Sequence, residues 1–279
     1  MKVKRFVCNE EQKLFKFLER HVSMTYSNLQ RLLRNKDVRV NGERVCKNVF
    51  LLIGDVVEVY LKEEAVKIFY EDGDIVVVFK PRRIETVNES GDDLKAKVQV
   101  QLGCEVFAIH RLDVNTEGLV IFAKNTKSKE SLDSVIKNRY LEKYYLAKVV
   151  GVPQKTKGEL VAYLKKDKSK SRVFVSDVRI PGYEEIKTNY RVLEDFGEYS
   201  LLDVELVTGK THQIRAHLSH IGYPILGDDK YGDFEVNKKE KKRYQCLIAY
   251  KLIFHFDKDD YLSRLNGLRI EIDRKEINF

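Results

Sequence analysis

The 279 residues carry 51 Lys and Arg against 43 Asp and Glu, a net charge of +8, and 43% are hydrophobic; that apolar share excludes a disordered chain and allows one large domain plus a small one. No apolar run approaches the roughly 20 residues that span a bilayer, and the opening MKVKRFVCNE lacks the apolar stretch of a signal peptide, so a cytoplasmic location without membrane contact is expected. Cys8, Cys46, Cys104 and Cys246 are far apart with no C-x-x-C pair, which argues against zinc or a disulfide framework and for a reducing compartment.

The charge excess is concentrated at the start. Residues 1–62 hold 13 Lys and Arg against 7 Asp and Glu, a net of +6, leaving +2 for the rest. In EEQKLFKFLERHV, Leu14, Phe15, Leu18 and Val22 recur at helical spacing, with Lys13, Lys16 and Arg20 free to face outward. SMTYSNLQRLLRNKDV repeats the design, with Ser27 as N-cap, Leu29, Leu32 and Leu33 as the buried stripe, and Arg31, Arg34 and Lys36 opposite. Asn41-Gly42 in VRVNGERV signals a hairpin, and GDVVEVYL adds a strand. Over roughly residues 12–61 this order of elements resembles the S4-type RNA-binding domain, a small α/β module. The resemblance implies RNA binding through Lys13, Lys16, Arg31, Arg34 and Arg39.

KEEAVK (62–67) is charged and poor in apolar residues, which places a domain boundary after residue 62. Beyond it the pattern is mostly strands: DIVVVFKP (74–81), VFAI (106–109), LVIFA (119–123), YYLAKVV (144–150) and YSLLDVELV (199–207). Helices are expected in 92–103, 126–138 and 211–222. KKDKSKSR (165–172) and NKKEKKR (237–243) read as exposed basic loops, serving either solubility or phosphate contact. Strands with a few interspersed helices predict an α+β domain built on a large, mostly antiparallel sheet.

HRLDVNTEGLVIFAK places a carboxylate, Asp113, in a loop between two apolar runs, with no second carboxylate at acid/base spacing. A lone aspartate beside an arginine is ordinarily a turn residue. Its companions are Tyr145 in LEKYYLAKVVG, Arg215 in VTGKTHQIRAHL, and Lys80-Pro81 at a strand end. These motifs, in this order through residues 68–255, resemble the RluA family of pseudouridine synthases. The family's fold is a large, mostly antiparallel mixed sheet flanked by helices and loops.

The resemblance implies isomerisation of uridine in RNA without cofactor or metal; a monomer with no obligate protein partner is expected, and the sequence does not exclude a dimer. Large-subunit ribosomal RNA is the expected substrate and transfer RNA the alternative. Asp113 would be the required aspartate, Arg215 its ion-pair partner, and Tyr145 the ring that stacks on uracil. Arg111 would help displace the target base, with His110 and Lys80 as further RNA contacts. Three positions depart from the family pattern: RRIETV follows Lys80-Pro81 where a glycine is usual, Glu117 replaces a small residue, and Ile248 stands where histidine is frequent.

Two other readings compete. His212, His217 and His220 with Asp228 and Asp229 suggest a metal hydrolase, although spacings of five and three make no neat ligand pair. A non-catalytic RNA-binding or ribosome-assembly factor would retain the fold, yet Asp113, Tyr145 and Arg215 are all present.

Overall fold

The computed structural model describes residues 2–22, 26–61, 65–89, 91–167 and 169–279. The chain divides into two compact units, Met1–Ala65 and Val66–Phe279. The boundary expected after residue 62 falls at 62–64, outside the described residues.

The first unit begins with a strand the sequence pattern did not single out, β1 (Lys2–Val7), followed by β2 (Gln12–Lys13), α1 (Leu14–His21), α2 (Tyr26–Arg34), β3 (Val38–Val40), β4 (Glu43–Arg44), β5 (Phe50–Leu51) and β6 (Val56–Leu61). Strands β1, β6, β3 and β4 form one sheet in that order, and β2 pairs with β5. Asn41 and Gly42 both take positive φ, 52° and 86°, at the β3–β4 reversal, the backbone that a two-residue hairpin loop requires. Helix α2 includes Ser27, so that residue lies inside the helix rather than ahead of it. Leu14, Phe17, Leu18, Leu29 and Leu33 close one small core with Val38, Val57 and Val59.

In the second unit, β7 (Ile68–Glu71), β8 (Ile75–Lys80), α3 (Leu94–Leu102), β9 (Phe107–Ala108), β10 (Glu117–Ala123), α4 (Thr126–Lys137) and β11 (Leu141–Val150) come first. There follow β12 (Lys157–Asp167), β13 (Arg172–Ser176), β14 (Glu184–Asp195), β15 (Tyr199–Leu206), α5 (Gln213–His220), α6 (Phe234–Lys239), β16 (Leu247–Phe254) and β17 (Arg269–Glu271). Eleven described strands make one sheet whose main path runs β13-β12-β14-β15-β11-β16-β10-β8-β7. All its pairs are antiparallel except β10 with β16, so the sheet is mixed. Of the basic run 165–172, residues 165–167 end β12 and Arg172 begins β13, paired antiparallel, so its ends are strand rather than loop. The run 237–243 overlaps the end of α6.

Apolar side chains cover both faces of the sheet centre. Ile75, Val77, Leu119 and Ile121 belong to one cluster, and Val76, Val78, Val120 and Phe122 to the other. This is why β8 and β10 read as unbroken apolar runs rather than alternating ones. At the crossing of β10 and β16, Gly118 has φ 124°, and an added Cβ would lie 2.1 Å from the Ala249 carbonyl oxygen. Only glycine allows the two strands to approach this closely. No helix among the described residues is long and apolar enough to cross a membrane.

Candidate active site

Strand β9 turns back into β10 through residues 109–116, and Asp113 sits in this reversal. The Thr116 N–H donates to the Asp113 carbonyl at 3.0 Å, closing a turn. The Leu112 N–H donates to Thr86 Oγ1 at 3.2 Å, and Gln245 Nε2 donates to Thr116 Oγ1 at 2.8 Å. Lys80, fully buried at the end of β8, donates from Nζ to the carbonyls of Pro81, Ile84 and Val114 at 2.9–3.0 Å. Burial lowers its pKa to about 8, against the opposing pull of Asp113 and Glu117.

Lys80 is therefore no RNA contact: its three donors tie two loops together beneath Asp113. His110 also departs from the expected role. Its Nε2 accepts the Ile121 N–H at 3.2 Å, and burial, helped by Lys143, lowers its pKa to about 3. A neutral ring so engaged offers no charge to a phosphate.

Arg215, on α5, brings three carboxylates together. Its Nη1 donates to Asp113 Oδ2 at 2.9 Å, its Nε and Nη2 to Asp228 Oδ2 and Oδ1 at 2.6 and 2.9 Å, and Nη2 also to Asp229 Oδ1 at 3.0 Å. Burial works against the cation, but hydrogen bonding to Asp228 and the charges of Asp228 and Asp113 outweigh it and raise its pKa. Asp228 feels the reverse balance: burial raises its pKa, and Arg215 with two backbone N–H groups brings it below the carboxylate norm. Gln213 anchors the start of α5, accepting from Thr208 Oγ1 and the Lys210 N–H and donating to the Lys187 carbonyl and Thr188 Oγ1.

Tyr145 lies on β11 beside a register shift in its pairing with β16, where Tyr144 faces Lys251 and Tyr145 faces Ala249. Such an irregularity re-aims a strand side chain. Tyr145 is buried, and burial followed by the Asp113 charge raises its pKa. Asp113, Tyr145, Arg215 and Arg111 all line one cleft of about 970 Å³. Arg111 is exposed there, and Lys137, Arg139, Lys166, Lys210 and Lys230 add cationic lining. Lys143 lines it too, its pKa lowered by burial.

In the first unit Lys13, Lys16, Arg31 and Arg34 are exposed and make no ion pair among the described residues, whereas Arg39 is half-buried with its guanidinium 4.8 Å from the Tyr60 ring centroid. The histidines and aspartates of the metal reading are dispersed. His217 meets Thr188 Oγ1, His220 meets Asp177, and Asp228 is held by Arg215. His212 is not on the helix; it precedes α5 with φ 54°.

The three departures from the family pattern prove to be neighbours. Arg82 Nη2 pairs with Glu117 Oε2 at 2.8 Å, and Glu117 faces Ile248 across the parallel β10–β16 contact. The arginine after Pro81 is thus paired with the acid before Gly118. His212 and Asp228 stand out in the sequence only as candidate metal ligands and Tyr231 not at all, because their contacts depend on tertiary placement; the string THQIR in front of Arg215 is the available signal for His212.

A cation-lined cleft in which Asp113 and Asp229 meet a buried arginine suits a polyanionic substrate. The comparisons with known proteins make this specific. A family model of RNA pseudouridylate synthases matches residues 74–220. The chain is 33% identical over 250 residues to an uncharacterized RNA pseudouridine synthase of Bacillus subtilis, covering 81% of this chain and 82% of that one. It is 30% identical over 295 residues to ribosomal large subunit pseudouridine synthase C of Rickettsia typhi, covering 94% and 93%. The human RNA pseudouridylate synthase domain containing 1 shares the fold, with a TM-score of 0.62 at 22% identity over 76% of this chain and 91% of that one. The chain belongs to the RNA pseudouridine synthase family, of the RluA type.

Proposed function

We propose that the protein isomerises specific uridines of large-subunit ribosomal RNA to pseudouridine, with Asp113 as the catalytic carboxylate, and that residues 1–62 are an S4-type module binding the same RNA. The observation that carries the reading is the Asp113–Arg215 pair at 2.9 Å in the cation-lined cleft that Tyr145 also lines. Isomerisation breaks the N-glycosidic bond, turns the uracil and joins its carbon 5 to the ribose. A carboxylate serves this as nucleophile on base or sugar, or by taking a ribose proton. Arg215 Nη1 holds one oxygen of Asp113 in place through a charge-assisted hydrogen bond at 2.9 Å.

Tyr145, which lines the cleft with Asp113, stacks on the uracil. Arg111, exposed at the cleft, fills the space of the displaced base; extrusion costs a few kcal/mol. Neither a cofactor nor a metal takes part in this reaction, and the protein acts in the cytoplasm as a monomer. The ribosomal target is favoured by the Rickettsia relative, a large-subunit synthase by name, matched over nearly its whole length.

Pseudouridine mapping across the RNA of cells with and without the gene tests this. Loss of one or a few sites in large-subunit RNA is expected. A change confined to transfer RNA would redirect the substrate, and no change in any RNA would refute the activity.

A further inference from the structure

His212 has no part in the reading above, yet its geometry is specific. It is a non-glycine residue in the left-handed region, φ 54°, immediately before α5. Backbone of this kind persists where surrounding contacts enforce it, and such positions cluster at working sites. The contacts here are with Tyr231. Tyr231 is buried, with its ring 5.1 Å from the Arg172 guanidinium and 5.4 Å from that of Arg215. Its hydroxyl oxygen accepts the Val173 N–H at 2.8 Å and lies 3.0 Å from His212 Nδ1.

These two bonds select a tautomer. The Val173 N–H can only donate, so the Tyr231 oxygen is already an acceptor and its own proton needs one. Donation to an unprotonated His212 Nδ1 satisfies every group. An Nδ1–H would instead leave the buried phenolic proton without an acceptor, a costly arrangement. The ring proton is therefore on Nε2.

Among the described residues that N–H has no partner. The nearest carboxylate oxygen, Asp113 Oδ2, is 3.9 Å from Nε2, beyond hydrogen-bond range. The same Oδ2 is taken by Arg215 at 2.9 Å. His212 lines the cleft, and Nε2 is not among the sealed, unpaired side-chain atoms, which are Gln12 Oε1 and Arg82 Nε. A free donor thus opens onto the cleft beside Asp113, where the reacting nucleoside must come within about 3 Å of the carboxylate. Burial also lowers the His212 pKa, against the pull of Asp113, which keeps the imidazole an uncharged donor.

We infer that His212, locked as the Nε2–H tautomer by Tyr231, donates a hydrogen bond to an oxygen of the target uridine. The inference rests on the function proposed above. A neutral donor fixes the nucleoside without competing with Arg215 for Asp113, and it is already oriented before substrate arrives.

Three full-length variants and one spectrum test it. In His212→Gln an amide N–H overlies the Nε2 position. In His212→Asn the amide reaches only the Nδ1 position, and asparagine tolerates the left-handed backbone, so folding is retained. Single-turnover pseudouridine formation, measured on ribosomal RNA from cells lacking the gene, should fall about 100-fold or more in His212→Asn, with RNA affinity little changed. His212→Gln should restore most of that loss, and Tyr231→Phe should fall between. Removal of one aligned donor characteristically costs a rate factor of about 10²–10³.

Equal rates for His212→Asn and wild type overturn the inference, and so do equal losses in the Asn and Gln variants, the mark of a purely structural role. The imidazole ¹⁵N spectrum of the wild type should show Nε2 protonated, with mixed tautomers in Tyr231→Phe. A wild-type protein protonated at Nδ1 overturns the inference while leaving the proposed function standing. A wild type that makes no pseudouridine removes both.

Discussion

Asp113 and Asp228 bind the same guanidinium and differ in almost every other respect. Asp228 is fully buried, holds Arg215 through both oxygens, and also accepts the backbone N–H groups of Lys230 and Tyr231. Asp113 makes one bond to Arg215, and its side chain is 26% exposed, toward the cleft. The Asp228 acceptor capacity is spent on holding the arginine and the 228–231 turn. Among the described residues the other oxygen of Asp113 has no hydrogen-bond partner, and the side chain lines the cleft. One carboxylate fixes the arginine and the other is left open to the cleft, which suits the catalytic role proposed for Asp113.

Exchanging each acid for its amide should separate these roles. Asp113→Asn should lower pseudouridine formation on the order of 10³-fold or more, with an unfolding midpoint close to wild type. Asp228→Asn should do its damage in stability, because it leaves a buried guanidinium without its principal counter-charge. A loss of about 3–5 kcal/mol is expected in denaturant unfolding. Lys80 sharpens the contrast from beneath the loop. Lys80→Met leaves the carbonyls of Pro81, Ile84 and Val114 without their shared donor, at about 2–3 kcal/mol, and loosens the Asp113 loop, so stability and rate should fall together.

Acid should find the structural side of the site first. His217 and His110 stay neutral in the folded protein down to about pH 4 and about pH 3, whereas unfolded imidazoles take up protons near pH 6.5. Between those values the unfolded chain binds more protons, so stability falls as pH drops below about 6.5, by up to ~1.4 kcal/mol per pH unit for each histidine. Urea titrations at pH 7, 6 and 5 measure the slope, and His217→Gln should reduce it. The smallest effect belongs to the first unit. Replacing Lys13, Lys16, Arg31 and Arg34 by glutamine should weaken RNA binding and flatten its salt dependence by about 0.7–0.9 in log–log slope for each phosphate no longer neutralised, while the unfolding midpoint barely moves.

Much of this cleft was legible in the sequence because the residues proposed for its chemistry stand in contiguous strings. HRLD, KYY and THQIR carry Asp113, Tyr145 and Arg215, and the cleft brings all three together. Roles that arise only from folding were not legible. Lys80 looked like an RNA contact at a strand end, and nothing local shows that three carbonyls converge on it. The Arg82–Glu117 pair joins residues 35 positions apart whose neighbours give no hint of each other. Strands β12 and β14 escaped notice for a different reason: many of their side chains are exposed and charged, so their apolar alternation is weak. Strands β8 and β10, covered on both faces, announced themselves as apolar runs.

The central claim is that Asp113 performs the chemistry that the rest of the site only prepares. Its most direct test is pseudouridine mapping in cells lacking the gene and complemented with wild type or Asp113→Asn at equal protein levels. The account predicts that the lost sites return with wild type and stay absent with Asp113→Asn, although the variant still binds the RNA. Restoration of those sites by Asp113→Asn would contradict it.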